Sequence, residues 1–594
     1  MSTLHHWFRS GAYSLLGHIT VPEPNRATRG VLIVPPFGWE DVCSYRPLRF
    51  MGQMLAAHGI PVMRFDLPGT GDSSGDARDS ALFDAWVGSI GDAADGLRAA
   101  TGVREVAVMG VRMGALLALL AAIRGVDLQD LILWSPYATG RAAVRELRAF
   151  SRLARSEYSN GAPSPPELIP GLEAGGFLLA PETQRELEAV DLSGLPEMPG
   201  RRVLILSRDD LPTDGHLVSA LQSSGCAVEF GNGSDYTAMM AIPEDAQPPA
   251  AAARAVIDFL RRSPQHQPAP PNRSPIQASA NVTTGGGTMF ERIYSIERPP
   301  GSMFGILSTP GPQVEGPDWC VLFLNPGAVR HTGPNRMWVE AARRLAMRGV
   351  TSLRLDLQGI GESDGEPNLD VASLYRDRLV EQVELAMESL RTNLGIRRFA
   401  AVGLCSGAFW AFHAATRNRD VRGAILLNPR LFFWDPEVDR RRVLQRTARL
   451  LTETKDWYRL IRGYVSIDSV KRVSRILLDR LGTARSAGGP PLQIWSEGMA
   501  EAWKALDHNQ SRLTLIFTEG EPLLREMEEE GHLPQETHSR VRCIRLANCG
   551  HTFRPLWAQK TAHELIDREL ETIMNEAQAV EDTQDMAFQR KAAV

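Results

Sequence analysis

A repeated glycine-flanked turn is the feature of this chain that most constrains its fold. Residues 403–408 read Gly-Leu-Cys-Ser-Gly-Ala, and residues 110–115 read Gly-Val-Arg-Met-Gly-Ala. Such a segment is typical of a sharp strand-to-helix turn that lifts its central side chain above a parallel sheet. The central residue is Cys405 in the second copy and Arg112 in the first. Because a thiol can attack an acyl group and a guanidinium cannot, we expect chemistry only in the second copy.

Two further pairs of segments repeat in the same order. Residues 64–73 match residues 354–363, and residues 31–38 correspond more loosely to residues 321–328. All three matches have nearly the same offset along the chain. Repeats of this kind must be recognised before a fold is assigned, and these indicate a duplicated domain.

The chain of 594 residues is long enough for two domains with full cores. We predict a first domain at residues 1–262, which is the degenerate copy, and a catalytic domain at residues 289–575. Proline and glycine enrichment between them predicts a linker at residues 263–288 that packs no core. The polar residues 576–594 are predicted to be a flexible tail.

Both domains alternate short apolar runs with amphipathic helical stretches. Runs rich in Val, Ile and Leu suit strands buried on both faces of a parallel sheet. The alternation predicts two tandem α/β domains, each with a mostly parallel, doubly wound sheet. The predicted strands are Val31–Val34, Val62–Asp66, Val106–Met109, Leu131–Trp134 and Val203–Leu206 in the first domain, and Cys320–Asn325, Thr351–Asp356, Phe399–Gly403, Gly423–Leu427, Leu513–Phe517 and Val541–Leu546 in the second.

One segment of each domain interrupts this alternation. Residues 428–512 are rich in arginine, leucine and aromatic residues, and they are predicted to form a helical cap over the site. The alternative is an ordinary helical elaboration with no role in substrate binding. Residues 137–195 are the counterpart in the first domain.

Cys405 is the candidate nucleophile. The helix that follows it points its N-terminus at the thiol, and this end of a helix favours the thiolate. The alternative is a buried core cysteine in a glycine-rich turn. The preceding apolar strand and the match to the first copy favour the nucleophile.

His551 is the candidate base. It follows a strand and precedes the final helix, in the chain order nucleophile, acid, histidine. His413 lies in the helix after the turn and is predicted to pack there. The remaining histidines after Cys405 are predicted to be surface residues: His508, His532, His538 and His563.

The acid is expected just after the strand Leu513–Phe517. Glu521 fits best, because the turn before Pro522 can direct it at the histidine, where it would orient and stabilise the imidazolium. Glu519 is the second candidate, and a solvated pair of loop carboxylates is the third possibility.

The oxyanion hole is expected to use the backbone N–H of Ser406, the residue after the nucleophile. The second donor should come from the loop after the first central strand. Proline has no N–H, so Gly327 or Ala328 is predicted there.

The first domain has lost two of the three catalytic roles. Arg112 stands at the nucleophile position, and no histidine lies between His216 and His266. Asp209 and Asp210 occupy the acid position. A cation at a helix N-terminus is unfavourable, so we predict that Arg112 pairs with one of these two carboxylates.

Composition excludes several classes of function. With 65 basic and 70 acidic residues and a net charge of -5, the chain presents no basic field for nucleic acid. The six cysteines have no paired spacing, so free thiols are expected, with no disulfide, metal or cofactor. No signal peptide or apolar run of about 18 residues is present, which predicts a soluble cytoplasmic protein without a membrane span.

Several motifs resemble one superfamily of enzymes. They are Asn325-Pro-Gly, His331-Thr-Gly-Pro-Asn-Arg336, residues 354–363, Gly403-Leu-Cys-Ser-Gly407 and Gly550-His551. They resemble the α/β-hydrolases, specifically the serine-aminopeptidase-like hydrolases that accompany exosortase and natural-product gene clusters. Residues 110–114 resemble an arginine-bearing variant of that group. The cysteine turn is similar to those of dienelactone hydrolases and polyhydroxyalkanoate synthases, and glutamate stands where the acid is usually aspartate.

The function predicted from these observations is acyl transfer through Cys405, His551 and Glu521. A thiolate suits a thioester substrate, and the acyl group could pass to water or to an alcohol or amine. We expect an acyl ester or thioester substrate in secondary metabolism, with a carrier protein as the candidate donor. Two alternatives stay open: a non-catalytic scaffold that binds an acyl ligand or a partner, and a peptidase.

Overall fold

The protein is described here by a computed structural model. The described residues are 1–25, 27–158, 169–262, 275–298, 301–311, 318–365, 371–434, 492–529, 531, 533 and 540–592.

The first domain is a mostly parallel sheet covered by helices. Its elements in chain order are β1 (Ser2–Ser10), β2 (Tyr13–Val21), β3 (Arg29–Val34), α1 (Trp39–Ala57), β4 (Val62–Phe65), α2 (Leu82–Thr101), β5 (Glu105–Val111), α3 (Met113–Ile123), β6 (Asp130–Trp134), α4 (Gly140–Tyr158), β7 (Leu172–Ala174), β8 (Phe177–Leu179), α5 (Pro181–Glu188), β9 (Arg202–Leu206), α6 (Gly215–Ser223), β10 (Ala227–Gly231), α7 (Tyr236–Met239) and α8 (Ala250–Arg261).

The strand order of this sheet is β1-β2-β4-β3-β5-β6-β9-β10 among the described residues. The strands from β4 to β10 run parallel, and β1 and β2 add an antiparallel edge. The central strands are apolar and fully buried, because helices cover both faces of the sheet. Separate hydrophobic clusters lie on the two faces, one under α2 and α3 and the other under α1 and α8.

The second domain repeats this architecture. Its elements are β11 (Ser279–Thr284), β12 (Gly287–Arg298), β13 (Gly301–Thr309), β14 (Trp319–Leu324), α9 (Met337–Met347), β15 (Thr351–Leu355), α10 (Asp377–Leu394), β16 (Arg398–Leu404), α11 (Ser406–Arg417), β17 (Val421–Leu427), α12 (Leu492–Asn509), β18 (Arg512–Thr518), α13 (Pro522–Glu529), β19 (Val541–Leu546) and α14 (Leu556–Ala592), with short 3-10 turns at Pro334–Arg336 and Val371–Tyr375.

The two sheets have the same topology. The second has the order β11-β12-β13-β15-β14-β16-β17-β18-β19 in the described part of the chain. Without the extra strand β11, this is the order of the first sheet, position by position. The predicted tandem of doubly wound α/β domains is therefore confirmed, and the predicted strands lie within one or two residues of the observed ones.

The predicted linker between the domains and the predicted flexible tail after the second domain are both wrong in part. The predicted linker 263–288 includes β11, whose Val282 is fully buried, so its second half belongs to a packed sheet. The predicted flexible tail 576–594 continues α14 as helix to Ala592. Polar contacts of Glu576 with Arg512 (2.6 Å) and of Gln578 with Arg398 (3.2 Å) hold the start of that segment against the sheet.

The structure describes more of the predicted cap in the first domain than of the one in the second domain. In the first domain, residues 137–195 contain α4, α5 and the β7–β8 hairpin, so this insertion is not entirely helical. In the second domain, residues 435–491 of the predicted cap 428–512 lie outside the described residues. The described part of that insertion ends in α12.

Equivalent loops of the two domains face each other at the centre of the interface. The loop after β4 carries Asp66 and Asp72, and the loop after β15 carries Asp356 and Glu362. Asp66 accepts a hydrogen bond from the amide of Asp72, and Asp356 accepts one from the amide of Glu362, both at 2.9 Å. A Cβ at the intervening Gly71 would lie 2.1 Å from the Asp66 carboxylate, so only glycine allows this turn.

The two domains exchange buried ion pairs across this interface. Arg64 of the first domain donates to both carboxylate oxygens of Glu362 at 2.9 Å. Arg354, the equivalent of Arg64, donates to Asp72, the equivalent of Glu362, at 3.0 Å. All four side chains are buried. The interface thus resembles that of a two-fold symmetric dimer, in which the same patch serves both partners.

His331 breaks this symmetry and occupies the middle of the interface. Its Nε2 lies 2.6 Å from Asp72 and its Nδ1 lies 2.7 Å from Asp356, and the ring is fully buried. Burial alone would lower the pKa of His331, but the two carboxylates raise it to about 10. His331 is therefore a buried imidazolium that joins the domains.

Removing this imidazolium leaves two buried carboxylates short of a partner. We expect His331→Ala to lower the free energy of unfolding by about 3–5 kcal/mol, as measured by urea denaturation. His58→Ala is the control, because His58 is exposed at the end of α1. A loss below about 1 kcal/mol for His331→Ala would contradict the assigned role.

The pH dependence of stability follows from the same pKa. Since the pKa of His331 is raised from 6.5 to about 10 in the folded state, its contribution is fully present below pH 6.5. That contribution is lost as the pH rises through 10. We expect the free energy of unfolding of the native chain to fall between pH 7 and 10, and His331→Ala to flatten this slope.

Candidate active site

Cys405 lies on a strained turn between β16 and α11. Its φ is +57°, a left-handed value that few side chains adopt, and Arg112 has the equivalent value of +55°. The helix α11 can approach β14 only because residue 407 is glycine: a Cβ there would lie 2.3 Å from the carbonyl oxygen of Leu324. The backbone therefore places the Cys405 side chain above the carboxyl edge of the sheet, at the N-terminus of α11.

The structure brings His551 and Glu521 together beside Cys405. Nδ1 of His551 lies 2.9 Å from Oε1 of Glu521, and the ring lies near enough to Cys405 for its charge to lower the pKa of the thiol. Glu521 is buried at the end of the loop after β18, whereas Glu519 is exposed. Of the two predicted acids, Glu521 is thus the one in contact with the histidine.

Two further side chains hold this pair in place. The amide of Asn428, just after β17, donates to the carbonyl of His551 at 2.8 Å, and its Oδ1 accepts from the backbone of Thr518 at 2.7 Å. The hydroxyl of Thr518 donates to Glu521 at 3.2 Å. Asn428 has a φ of +41°, so the chain is strained at this position as well. Sequence reasoning missed Asn428, although its place after a predicted strand was a usable signal.

The contacts of Cys405 and His551 favour an ion pair. Burial would raise the pKa of the Cys405 thiol, but the charge and hydrogen bond of His551 bring it below its usual value. Burial would lower the pKa of His551, but the thiolate and Glu521 raise it to about 10. Both shifts favour the thiolate and imidazolium pair, which is the reactive form of a cysteine nucleophile.

A tyrosine that the sequence analysis did not single out faces the thiol. The hydroxyl of Tyr375 lies 3.9 Å from the sulfur of Cys405, and the residue is buried. Its ring stacks on Trp434 with centroids 5.6 Å apart and packs edge-on against Phe409. This aromatic group forms one wall beside the nucleophile.

The loop predicted to supply the second oxyanion donor lies against the start of α11. The N–H of Gly327 donates to the hydroxyl of Ser406 at 2.8 Å, and this hydroxyl donates to the carbonyl of Asn325 at 3.3 Å. The N–H of Ala328 instead points at the first domain, where Glu244 accepts it at 3.4 Å. Of the two candidates, only Gly327 is directed at the residue after Cys405.

The other histidines differ in their surroundings. His413 packs in α11 as predicted, where its ring contacts the carbonyl of Phe432 at 2.9 Å and burial lowers its pKa to about 4. The surface position predicted for His563 is wrong. It lies on the face of α14 that packs on α9, and its Nε2 contacts the carbonyl of Met337 at 3.1 Å. His532 and His538 lie outside the described residues.

The corresponding position of the first domain is filled by an ion-paired arginine. Arg112 contacts Glu40 at 3.1 Å and Glu146 at 2.5 Å, and its guanidinium lies 4.2 Å from the centre of the Tyr137 ring. The predicted pairing with Asp209 or Asp210 is therefore wrong. Asp210 instead pairs with Arg208, and Asp209 accepts hydrogen bonds from Thr237.

One group of potential metal ligands lies at the domain interface. The ligand atoms of His5, His18 and Glu362 are within 4.8 Å of one another in the described structure. Arg64 already neutralises this carboxylate, and the two histidine nitrogens are only 2.7 Å apart, the distance of a hydrogen bond. The charge and spacing suit a hydrogen-bonded pair rather than a metal ion.

Comparisons with protein families agree with this geometry. The family model described as "Alpha/beta hydrolase family" matches residues 321–568, and the one described as "Serine aminopeptidase, S33" matches residues 44–173. Each half of the chain is an α/β-hydrolase domain. The predicted tandem resemblance is thereby confirmed. No curated protein sequence matches the chain at a significant level.

Three solved structures similar to this chain each match less than half of it over nearly their own full length. Est1E from Butyrivibrio proteoclasticus is 19% identical over 43% of this chain and 99% of its own, with a TM-score of 0.31. Proline iminopeptidase from Mycobacterium smegmatis is 15% identical over 48% and 99%, with a TM-score of 0.32. Dienelactone hydrolase from Anabaena variabilis is 15% identical over 47% and 96%, with a TM-score of 0.29.

No helix in the described part of this α/β-hydrolase tandem is both long and apolar enough to cross a membrane.

The ion pair in the second domain can be tested by alkylation. Glu521→Gln removes the charge that helps hold the proton on His551, so we expect Cys405 to react about 10- to 100-fold more slowly with iodoacetamide at pH 7. Glu519→Gln is the matched control and should react like the native protein. The measurement is the rate at which the Cys405 peptide gains mass.

The pH profile of the same reaction has a defined direction. In the native protein the rate should stay nearly constant around neutral pH and fall as the pH drops through the lowered pKa of Cys405. In His551→Ala the rate should instead rise toward the ordinary pKa of a thiol, near 8.5. Equal profiles for the two proteins would contradict an ion pair.

Proposed function

We propose that the second domain is an acyl-transfer enzyme in which Cys405 is the nucleophile, His551 the base and acid, and Glu521 the residue that orients His551. The observation that carries the proposal is that Cys405 on its strained turn, His551 after β19 and Glu521 after β18 come together at one edge of the sheet. The buried Glu521 carboxylate contacts the partly exposed His551 ring, the charge of His551 lowers the pKa of the Cys405 thiol, and this thiol lies at a helix N-terminus. The superfamily membership supports hydrolytic or acyl-transfer chemistry.

The proposed first step is attack of the Cys405 thiolate on the carbonyl carbon of an acyl thioester or ester. A new carbon–sulfur bond forms, and the tetrahedral oxyanion is stabilised by the backbone N–H groups of Ser406 and Gly327. The His551 imidazolium then gives its proton to the departing thiol or alcohol. The product of this step is a thioester between the acyl group and Cys405.

The oxyanion donor Gly327 is engaged with the Ser406 hydroxyl in the substrate-free structure. We propose that this hydroxyl holds the loop in place and gives up the N–H when an oxyanion forms. A preorganised donor of this kind contributes about 3 kcal/mol to transition-state stabilisation. In Ser406→Ala the N–H of Gly327 would lose its acceptor, and the loop would lose the hydroxyl that positions it.

In the second step the acyl group passes to water, an alcohol or an amine, which His551 deprotonates during attack. A thioester substrate fits the chemistry best, because exchange of one thioester for another is nearly isoenergetic. We propose such a substrate in secondary metabolism, and a carrier protein is a suitable donor for it. The first domain has Arg112 at its own turn and acts as a non-catalytic partner.

The test is intact-protein mass spectrometry after incubation with acyl thioesters of two to ten carbons. We expect the native protein to gain the mass of one acyl group and Cys405→Ala to gain none. Cys543→Ala is the matched control, because Cys543 is also a free, partly exposed thiol, and it should be acylated normally. Absence of acylation with every thioester and ester would overturn the proposal and favour a binding scaffold.

A second measurement separates hydrolysis from transfer. When the acylated protein is isolated and given an amine or alcohol, a transferase should release the acyl group onto the acceptor faster than onto water. Equal rates with and without acceptor would indicate a thioesterase or esterase.

A further inference from the structure

The loop that carries His551 connects β19 to α14 and spans residues 547–555. Two of its non-glycine residues, Asn548 and Phe553, have left-handed φ values of +59° and +52°. Such a backbone is strained, and it persists only where the surrounding contacts determine it. The contacts along this loop, which we call the histidine loop, therefore decide where the His551 ring lies.

The second domain supports the part of the histidine loop that is nearest to His551. Besides the hydrogen bond from Asn428 to the carbonyl of His551, the amide of Asn335 donates to the carbonyl of Thr552 at 3.4 Å. The side chain of Phe553 is fully buried in the cluster between the sheet and the helices α9 and α14. The residues that follow, 554–559, meet the first domain.

The tip of the β7–β8 hairpin of the first domain contacts the end of the histidine loop. The carbonyl of Gly176, in the turn of this hairpin, accepts a hydrogen bond from the buried amide of Gln559 at 2.9 Å. The same amide donates to the carbonyl of Arg554 at 2.9 Å. Gly176 has a φ of +92°, and a Cβ there would lie 2.6 Å from that carbonyl oxygen. The contact between hairpin and loop thus has no room for one further methyl group.

A carboxylate of the same hairpin lies at the N-terminus of α14. Oε1 of Glu173 accepts the backbone N–H of Leu556, the first residue of this helix, at 3.3 Å. The first N–H groups of a helix have no partner within the helix, and negative charge is favourable at that end. The first domain thereby supplies an acceptor at the point where the histidine loop enters α14.

Trp39, at the start of α1, adds a third contact from the first domain. The guanidinium of Arg554 lies 4.0 Å from the centre of the Trp39 ring, within the range of a cation–π interaction. The hairpin tip lies beside this indole, because a Cβ at Gly175 would be 3.6 Å from the Cβ of Trp39. Backbone and side chain of Arg554 are therefore both held from across the interface.

We propose that the β7–β8 hairpin of the first domain is a positioning element of the active site in the second domain. Through Glu173 and Gly176 it fixes the end of the histidine loop, and this sets the place of the His551 ring relative to Cys405. The inference rests on the proposed function, because it assigns the hairpin to that site. Since the hairpin belongs to the copy that carries Arg112, one copy of the duplication positions the histidine of the other.

The test is alkylation of Cys405 by iodoacetamide in Gly176→Ala, followed as a function of pH. The new methyl group displaces the carbonyl of Arg554, so the His551 ring should move relative to the thiol. We expect the rate at pH 7 to fall about 10-fold and the pH profile to move toward the ordinary pKa of a thiol, near 8.5. Gly125→Ala is the matched control and should react like the native protein. Gly125 has a similar φ of +88°, but a Cβ there would meet no atom within 4 Å.

Glu173 provides a second variant, which introduces no steric clash. Glu173→Ala removes the acceptor at the start of α14, and we expect alkylation of Cys405 at pH 7 to slow by about 3- to 10-fold. Glu173→Gln keeps an acceptor oxygen and should recover most of the native rate. Glu182→Ala, on the exposed side of α5 in the same insertion, is the control and should react at the native rate. All of these variants should keep the native circular dichroism spectrum.

Alkylation and acylation together distinguish a failure of this proposal from a failure of the proposed function. Native pH profiles in both Gly176→Ala and Glu173→Ala, or an equal loss of rate in Gly125→Ala, would overturn the positioning role. Slower alkylation in the two variants of a protein that no thioester acylates would support the positioning role and overturn acyl transfer alone. Where the native protein turns over thioesters, the two variants should lower kcat and leave KM within about twofold.

Discussion

The buried imidazolium of His331 between Asp72 and Asp356 is the interaction on which the arrangement of the two domains depends. Each carboxylate is removed from water and would be costly to bury alone. The histidine satisfies one carboxylate from each domain, and the exchanged pairs of Arg64 and Arg354 satisfy the remaining charge. Arg64 pairs with Glu362 and Arg354 with Asp72 across the interface, so separating the two domains would deprive these buried charges of those partners. The tandem is therefore best regarded as one folded unit.

The same interface reaches the proposed oxyanion loop. Asp356 accepts hydrogen bonds from His331 and also from the Asn325 amide, at 3.2 Å, and Asn325 begins the loop that contains Gly327. Farther along this loop, Glu244 of the first domain accepts the N–H of Ala328. The first domain thus contacts this loop directly at Ala328, although its own turn carries Arg112. This contact offers a physical reason for retaining a first copy without a nucleophile: it holds the loop from which we propose that Gly327 serves the second copy.

The turn at Cys405 and the final loop at His551 could be predicted because each is specified by local sequence. Glycines around residue 405 and a strand before residue 551 are visible in the chain itself, and the order of the elements restricts where the acid can lie. The partners of Arg112 could not be predicted in this way. Glu40 and Glu146 come from α1 and α4, and only the packing of those helices brings them closer than the aspartates at the acid position. His563 was misplaced for a similar reason, since a polar residue on a long helix is buried only when another helix covers it.

The sequence by itself determined that this chain is a duplicated α/β fold, where the central parallel strands of each sheet lie, and that only one copy retains a thiol at its turn; β1, β2, β10, β11, β12 and β13 were not predicted. These properties follow from local periodicity and from residues within one motif. The tertiary structure decided how the copies meet, because the contacts between Asp72, His331 and Arg354 join residues more than 250 positions apart. It also decided which acid touches His551 and which part of the first domain contacts the histidine loop, since both depend on packing between elements that no local pattern encodes.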